Sequence, residues 1–232
     1  VTFTDTAWPR AVLWDMDGTL VDTEPYWIAA EGPLVESYGG TWTHEDALQL
    51  VGNDLEGSAR ILQAAGVDMG VTELVEHLTD RVQAQLVEKG VPFRPGAREL
   101  LRGLREAGVK TAIVTMSRRR MAEQIAGLIE FDAFDAILGG DDVERPKPHP
   151  DPYLAGARAL GVDIRDCVAI EDSPTGLRAA VASGASAIGV PHMVGLADLG
   201  ARELWPTLEG RTVEDLAAVW RAHRAELAGD RA

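Results

Sequence analysis

Three short apolar runs, each ending at a residue able to do chemistry, constrain this chain more than any other feature. Ala11-Val12-Leu13-Trp14 runs into Asp15-Met16-Asp17-Gly18-Thr19, Thr111-Ala112-Ile113-Val114 into Thr115, and Cys167-Val168-Ala169-Ile170 into Glu171-Asp172. Runs this short and this uniformly apolar read as strands buried on both faces of a parallel sheet. In open sheets of that kind, ligands bind beyond the carboxyl ends of the strands. Residues far apart in the chain are therefore expected to meet in one pocket. Carboxylates that meet there repel unless a cation sits between them. Lys147, inside Arg145-Pro146-Lys147-Pro148, is the basic mark in the same series.

The pattern between these marks sets the organisation. Residues 24–90 carry helical spacing and no convincing strand. Thr43-His44-Glu45-Asp46 resembles a capping box opening a helix through Leu48 and Val51. Asp54 is placed to cap the next helix, with Ile61 and Leu62 on its apolar face. Leu74, Val75, Leu78, Val82, Leu86 and Val87 fit a longer amphipathic helix, and Gly32-Pro33 is expected to interrupt or kink the first helix of the group. From residue 91, past Pro92 and Pro95-Gly96, strand and helix alternate again. Leu100, Leu101 and Leu104 make a stripe that Gly108 closes. Ser117 is expected to cap a helix carrying Met121, Ile125 and Leu128, and Ala136-Ile137-Leu138 reads as a strand. Asp151-Pro152 and Ser173-Pro174 each place a capping side chain before a proline. Ala187-Ile188-Gly189-Val190 is a further strand, and Thr212-Val213-Glu214-Asp215 opens a last helix. The fold class is α/β: a core of residues 1–23 and 91–232 with a parallel sheet covered on both faces, interrupted by a helical insertion over 24–90.

Composition excludes some partners. The chain has 232 residues, 46% of them hydrophobic, enough for one good core and a smaller second unit. Its net charge of −15 argues against nucleic acid and against an anionic membrane surface, both of which need Lys and Arg. The first twenty residues lack a basic start followed by an apolar stretch, and no apolar run is long enough to span a bilayer. The single cysteine, Cys167, permits no internal disulfide. A soluble cytoplasmic protein is expected. The pattern does not bear on oligomeric state.

Asp15-Met16-Asp17-Gly18-Thr19-Leu20-Val21-Asp22 resembles the first motif of the haloacid dehalogenase-like superfamily. The others follow in order: Thr115 in Val114-Thr115-Met116-Ser117, Lys147 between its prolines, and Glu171-Asp172-Ser173-Pro174-Thr175-Gly176. The resemblance covers nearly the whole chain. It implies a Rossmann-like three-layer core with a small α-helical cap domain inserted after the first strand. Within the superfamily it points to relatives of phosphoglycolate phosphatase and β-phosphoglucomutase.

The resemblance also assigns roles. Asp15 is the implied nucleophile, forming an aspartyl-phosphate, and Asp17 the general acid and base. Asp15, the Asp17 backbone carbonyl, Asp172 and Glu171 (directly or through water) would hold Mg²⁺, a hard cation that prefers oxygen ligands. Thr115, the backbone N–H groups of Met116 and Ser117, and Lys147 would bind the phosphoryl group. Many relatives carry Asn at the Met116 position, so a side-chain contact is lost there. Arg145 is a possible assistant. Asp22, Asp141 and Asp142 are expected to cap helices. The five histidines show no metal-ligand spacing. In the cap, Trp27 and Trp42 fall near the entrance, and Gly52-Asn53 lies where this subgroup carries a specificity loop.

The activity implied is a Mg²⁺-dependent phosphatase acting on a small phosphorylated metabolite. A β-phosphoglucomutase-like mutase and a non-catalytic phosphate-binding protein are the alternatives. Thr19, and Trp27 where the mutase has a cap histidine, favour the phosphatase. Phosphoglycolate, sugar phosphates, polyol phosphates and mononucleotides all stay open as substrates.

Overall fold

The computed structural model describes residues 8–50 and 53–229. Six parallel strands form one sheet: β1 (Ala11–Trp14), β2 (Lys110–Val114), β3 (Ala136–Leu138), β4 (Cys167–Glu171), β5 (Ser186–Gly189) and β6 (Glu203–Leu204). Their order is β3-β2-β1-β4-β5-β6, so the first strand is central. The chain reverses its direction of winding at β1, which opens a crevice at the carboxyl end of that strand. Trp14 pairs with Ile113 of β2 and Ile170 of β4, so Asp15 leaves the sheet level with Val114 and Glu171. The two-residue edge strand β6 was not expected. It is too short and too exposed to carry a periodic signal.

The strand residues differ in size between the two faces. Val12, Trp14, Ile113, Val168, Ile170 and Ile188 fill one side, against α5 (Ala97–Glu106), α6 (Arg119–Gly127) and α9 (Val213–Gly229). Leu13, Val114 and Cys167, with the smaller Ala11, Ala112, Ala169 and Ala187, line the other, against α7 (Asp151–Leu160) and α8 (Pro174–Ser183). A Cβ on Gly156 of α7 would come within 2.9 Å of Val114 Cγ2. The result is a three-layer α/β core in which the strand ends carrying Asp15, Thr115 and Glu171 cannot shift independently.

Between β1 and β2 lie α1 (Glu24–Ser37), α2 (His44–Leu48), α3 (Leu55–Ala64) and α4 (Val71–Lys89). They bury a cluster of their own, including Leu34, Val35, Leu62, Leu74, Val75 and Leu78. Val82 and Leu86, in the last turns of α4, pack into the main core instead. The two connections to this helical layer run side by side. Val21 bridges Phe93 in antiparallel fashion, Asp22 N–H donates to Pro92 O (2.8 Å) and Arg94 N–H to Leu20 O (3.0 Å). The Arg94 guanidinium donates to His192 Nδ1 (2.5 Å), which leaves His192 Nε2 to donate to Asp22 Oδ1 (3.1 Å).

Local signals succeeded where a side chain supplies a specific cap. Thr43 and Asp46 form the capping box of α2, Asp54 caps α3 through Gly57 N–H (2.7 Å), and Ser173 caps α8 through Gly176 N–H (3.0 Å). Thr212 and Asp215 cap each other reciprocally at α9. Elsewhere the structure corrects the expectation. Pro33 does not end α1, which runs on to Ser37, because packing of Ala30, Leu34 and Val35 holds both sides of it. Val87 is exposed rather than part of the α4 stripe, and Leu128 is likewise exposed. Asp151 is the first residue of α7 and makes no cap. Val51 lies outside the described residues. Among those described, no helix is long and apolar enough to cross a membrane.

Cys167 is fully buried at the start of β4, and burial pushes its thiol up to about 12. A buried thiol of that kind is protonated and unreactive. Native protein at pH 8 is expected to react negligibly with a disulfide reagent, whereas protein in guanidinium chloride releases one equivalent of chromophore. Fast reaction of the native protein contradicts this packing.

Candidate active site

Lys147 organises the floor of the crevice. Its buried ammonium lies 2.6 Å from Asp15 Oδ1, 2.6 Å from Glu171 Oε1 and 2.9 Å from Val114 O. Those three acceptors satisfy its three donors. Glu171 also accepts the Tyr153 hydroxyl (2.7 Å) and the Ser173 hydroxyl (3.2 Å). Asp172 accepts the Thr19 hydroxyl at 3.0 Å. Asp15, Glu171 and Asp172 each place one carboxylate oxygen within 4.8 Å of the others. Two glycines make room for this. Gly18 has φ +87°, and a Cβ there would lie 2.1 Å from Asp172 Oδ2; a Cβ on Gly176 would lie 1.8 Å from Glu171 Oε1.

Three carboxylates around one ammonium leave a surplus of negative charge in a water-poor place. Burial, then the charge of Glu171, pushes Asp15 up to about 7, against the pull of Lys147. Asp172 is held well above the usual carboxylate range by burial and by Asp15 and Glu171. Burial works against the Lys147 ammonium, but Asp15 and Glu171 outweigh it and hold its pKa above that of an ordinary lysine. The directions agree. The one positive charge keeps its proton, and the surplus negative charge falls on Asp15 and Asp172. An all-oxygen donor set with excess negative charge suits a hard divalent cation.

Asp17 stands above this cluster. Its carboxylate accepts hydroxyls from Thr23, Ser117 (2.7 Å) and Thr115 (3.3 Å). Ser117 therefore does not cap α6, whose N-cap residue is Arg118; the serine hydroxyl turns to Asp17 instead. The Ser117 N–H donates to Thr115 Oγ1 (3.0 Å), and Met116 Sδ accepts the Lys147 N–H (3.4 Å). Thr23 is the N-cap residue of α1, so one hydrogen bond ties the helical layer to Asp17.

The floor opens into a cavity of about 360 Å³ whose roof is the helical layer. Asp15, Asp17, Thr115, Met116, Ser117, Lys147 and Asp172 all line it, as do Trp27 and Asn53. Glu171 lies beneath, completely buried. Gly52 lies outside the described residues. Trp42 does not line the cavity; its indole N–H donates to Glu31 Oε2 (3.3 Å), which does. Arg145 points away, bonded to Asp151 (2.7 Å). Asp22 caps no helix, since it pairs with His192. Asp141 accepts Arg119 N–H at the start of α6 (2.9 Å), and Asp142 accepts Gly139 N–H (2.9 Å). No histidine joins the carboxylate group among the described residues.

Sequence reasoning missed Thr23, Tyr153, Glu24 and Glu31. The last two carried a usable signal: Glu24, Trp27 and Glu31 recur at helical spacing, and Glu31 falls among the apolar residues Ala30, Leu34 and Val35.

Comparison with known proteins agrees with this geometry. A family model described as haloacid dehalogenase-like hydrolase matches residues 12–190. The chain is 34% identical over 185 residues to hexitol phosphatase B of Escherichia coli (strain K12), covering 78% of this chain and 83% of that one. It is 32% identical over 194 residues to phosphoglycolate phosphatase of Xylella fastidiosa, covering 82% and 81%. The structure of CbbY from Rhodobacter sphaeroides in complex with phosphate superposes with a TM-score of 0.78 at 29% identity, covering 87% and 95%. The chain belongs to the haloacid dehalogenase-like hydrolases, in the subgroup related to phosphoglycolate phosphatase and β-phosphoglucomutase. It is an enzyme of the phosphoric monoester hydrolase class.

Burial pushes Glu31 up to about 7, against the pull of the Trp42 N–H, from an ordinary value of 4.5. Between those values the native state holds a proton that the unfolded chain has released. Stability therefore falls as pH rises through that window, and the penalty is complete above about pH 7. Glu31→Gln keeps the acceptor for Trp42 and removes the charge. It is expected to raise the melting temperature by roughly 3 °C or more at pH 8, and much less at pH 5. Equal shifts at both pH values contradict the assignment.

Proposed function

We propose that this enzyme hydrolyses a small phosphomonoester through an aspartyl-phosphate on Asp15, with Mg²⁺ as cofactor. One observation carries the reading: Asp15, Asp172 and Lys147 converge on one spot beneath a cavity. Asp15, Asp172 and the Asp17 backbone carbonyl would hold the cation, which would offset charge on the phosphoryl oxygens. Glu171 acts from below, through its bonds to Lys147, Tyr153 and Ser173. Lys147 and Thr115, with the backbone N–H groups of Met116 and Ser117, would hold the transferred group by exchanging bonds they now make within the site, such as Lys147 to Val114 O and Ser117 N–H to Thr115 Oγ1.

In the first step Asp15 attacks phosphorus, and the bond to the leaving oxygen breaks as Asp17 protonates that oxygen. In the second, Asp17 takes a proton from water, which attacks phosphorus and releases phosphate and the free Asp15 carboxylate. Most of the acceleration comes from positioning and charge. Residues 24–90 act as a cap on a core of 1–23 and 91–232, moving about residues 22–24 and 90–95. Closure excludes water during the first step and opening admits it for the second. A mutase would have to admit a sugar in place of that water, and Trp27 stands where mutases carry a histidine. The reading includes a cytoplasmic setting and no nucleic-acid or membrane partner.

Release of inorganic phosphate from a panel of monoesters with Mg²⁺ tests the reading. EDTA is expected to abolish turnover. Asp15→Asn is expected to lower kcat by about 10³-fold or more without loss of thermal stability, since it removes the nucleophile and eases the buried negative charge. Undiminished turnover by that variant overturns the mechanism.

A further inference from the structure

The two halves of the cavity differ in what they can hold. The floor is built for a phosphoryl group. The roof is built from Trp27, Leu50, Leu55, Val75 and Leu78, together with two carboxylates, Glu24 and Glu31. Both glutamates come from α1, two helical turns apart and on the face that carries Trp27. Glu31 is only 4% exposed.

The charges along the cavity are unbalanced. Among the described residues that line it, Asp15, Asp17, Glu24, Glu31, Asp54 and Asp172 are acidic, and Lys147 is the one base. The Lys147 ammonium is already held by Asp15 and Glu171. Arg118, next to the Thr115–Ser117 loop, donates to Glu76 (2.9 Å) and Glu56 (3.4 Å), two carboxylates for one guanidinium. A second anionic group on the leaving side would therefore face Glu24 and Glu31 in a half-enclosed space with no cation to meet it. That costs far more than in water. Hydroxyl groups meet no such penalty. They donate to carboxylates and accept from protonated carboxyls, and a carbon chain packs on Trp27 and the leucines.

Accordingly, and resting on the phosphatase reading above, we propose that Glu24 and Glu31 select against a second negative charge. The substrate is then a monophosphate of an uncharged polyhydroxy alcohol, and phosphorylated acids and bisphosphates are rejected. Burial, joined for Glu24 by the charges of Asp17, Glu31 and Asp22, pushes both side chains up to about 7. Above that value both are ionised and turn a second anion away, while still accepting from hydroxyls.

The test compares kcat/KM for sorbitol 6-phosphate, phosphoglycolate, fructose 1,6-bisphosphate and phosphoethanolamine, with p-nitrophenyl phosphate as a general substrate and Mg²⁺ constant. Sorbitol 6-phosphate is expected to exceed phosphoglycolate and the bisphosphate by at least about 100-fold. Glu31→Gln, and separately Glu24→Gln, are expected to narrow that ratio by about 10-fold through faster turnover of the two more highly charged substrates. A wild-type preference for phosphoglycolate or the bisphosphate overturns the selection while leaving the phosphatase reading intact. A clear preference for phosphoethanolamine overturns it as well, because the roof would then be a cation site. An unchanged ratio in both folded variants removes the glutamates from the argument. Failure to release phosphate from any of the five overturns the phosphatase reading, and the selection with it.

Discussion

One ammonium group holds the active end of this molecule together. Lys147 reaches under the sheet's carboxyl edge and bonds Asp15, Glu171 and the Val114 carbonyl, so it touches the ends of three neighbouring strands. Three carboxylates cannot share that space without it, and even with it the surplus charge shows as raised pKa values at Asp15 and Asp172. The site is strained toward binding positive charge. The glycines at 18 and 176 leave the room in which the Asp172 and Glu171 side chains converge.

The sheet makes this convergence possible. Its central strand carries Asp15, its neighbours carry Thr115 and Glu171-Asp172, and the register keeps the three ends level. Apolar residues on both faces fix the strands between two layers of helices. The helical layer above is tied down more loosely. Its links to α6 are ion pairs such as Arg120 with Glu76 (2.8 Å) and Asp80 (2.7 Å), half-exposed and therefore weak. Its covalent links are two adjacent strands of backbone near Asp22 and Pro92. Val82 and Leu86 of α4 add apolar contacts with the main core to these polar links. Thr23 adds a contact between the helical layer and the floor, since it opens α1 while donating to Asp17.

The floor was far more legible in the sequence than the roof. Floor residues sit at strand ends, where an apolar run marks the position and a polar residue stands out against it. Cap motifs of the Thr43-Asp46 and Ser173 kind were legible because they are closed within a few residues. Ser117 shows the limit. Its sequence context suits a helix cap, but a carboxylate brought in from residue 17 competes for its hydroxyl and wins. Asp22 was lost in the same way to His192. Glu31 passed for one more charged residue on a helix, although Ala30, Leu34 and Val35 around it signal a covered face.

The chain by itself determined the class of fold and the order of the chemical groups along it, because strand periodicity and motif spacing are local properties. Tertiary structure decided which hydroxyls face Asp17, that Glu171 lies buried beneath the floor, and that two glutamates of α1 line the cavity. These are matters of distance between residues remote in sequence, where burial and competing partners, not local preference, set the outcome.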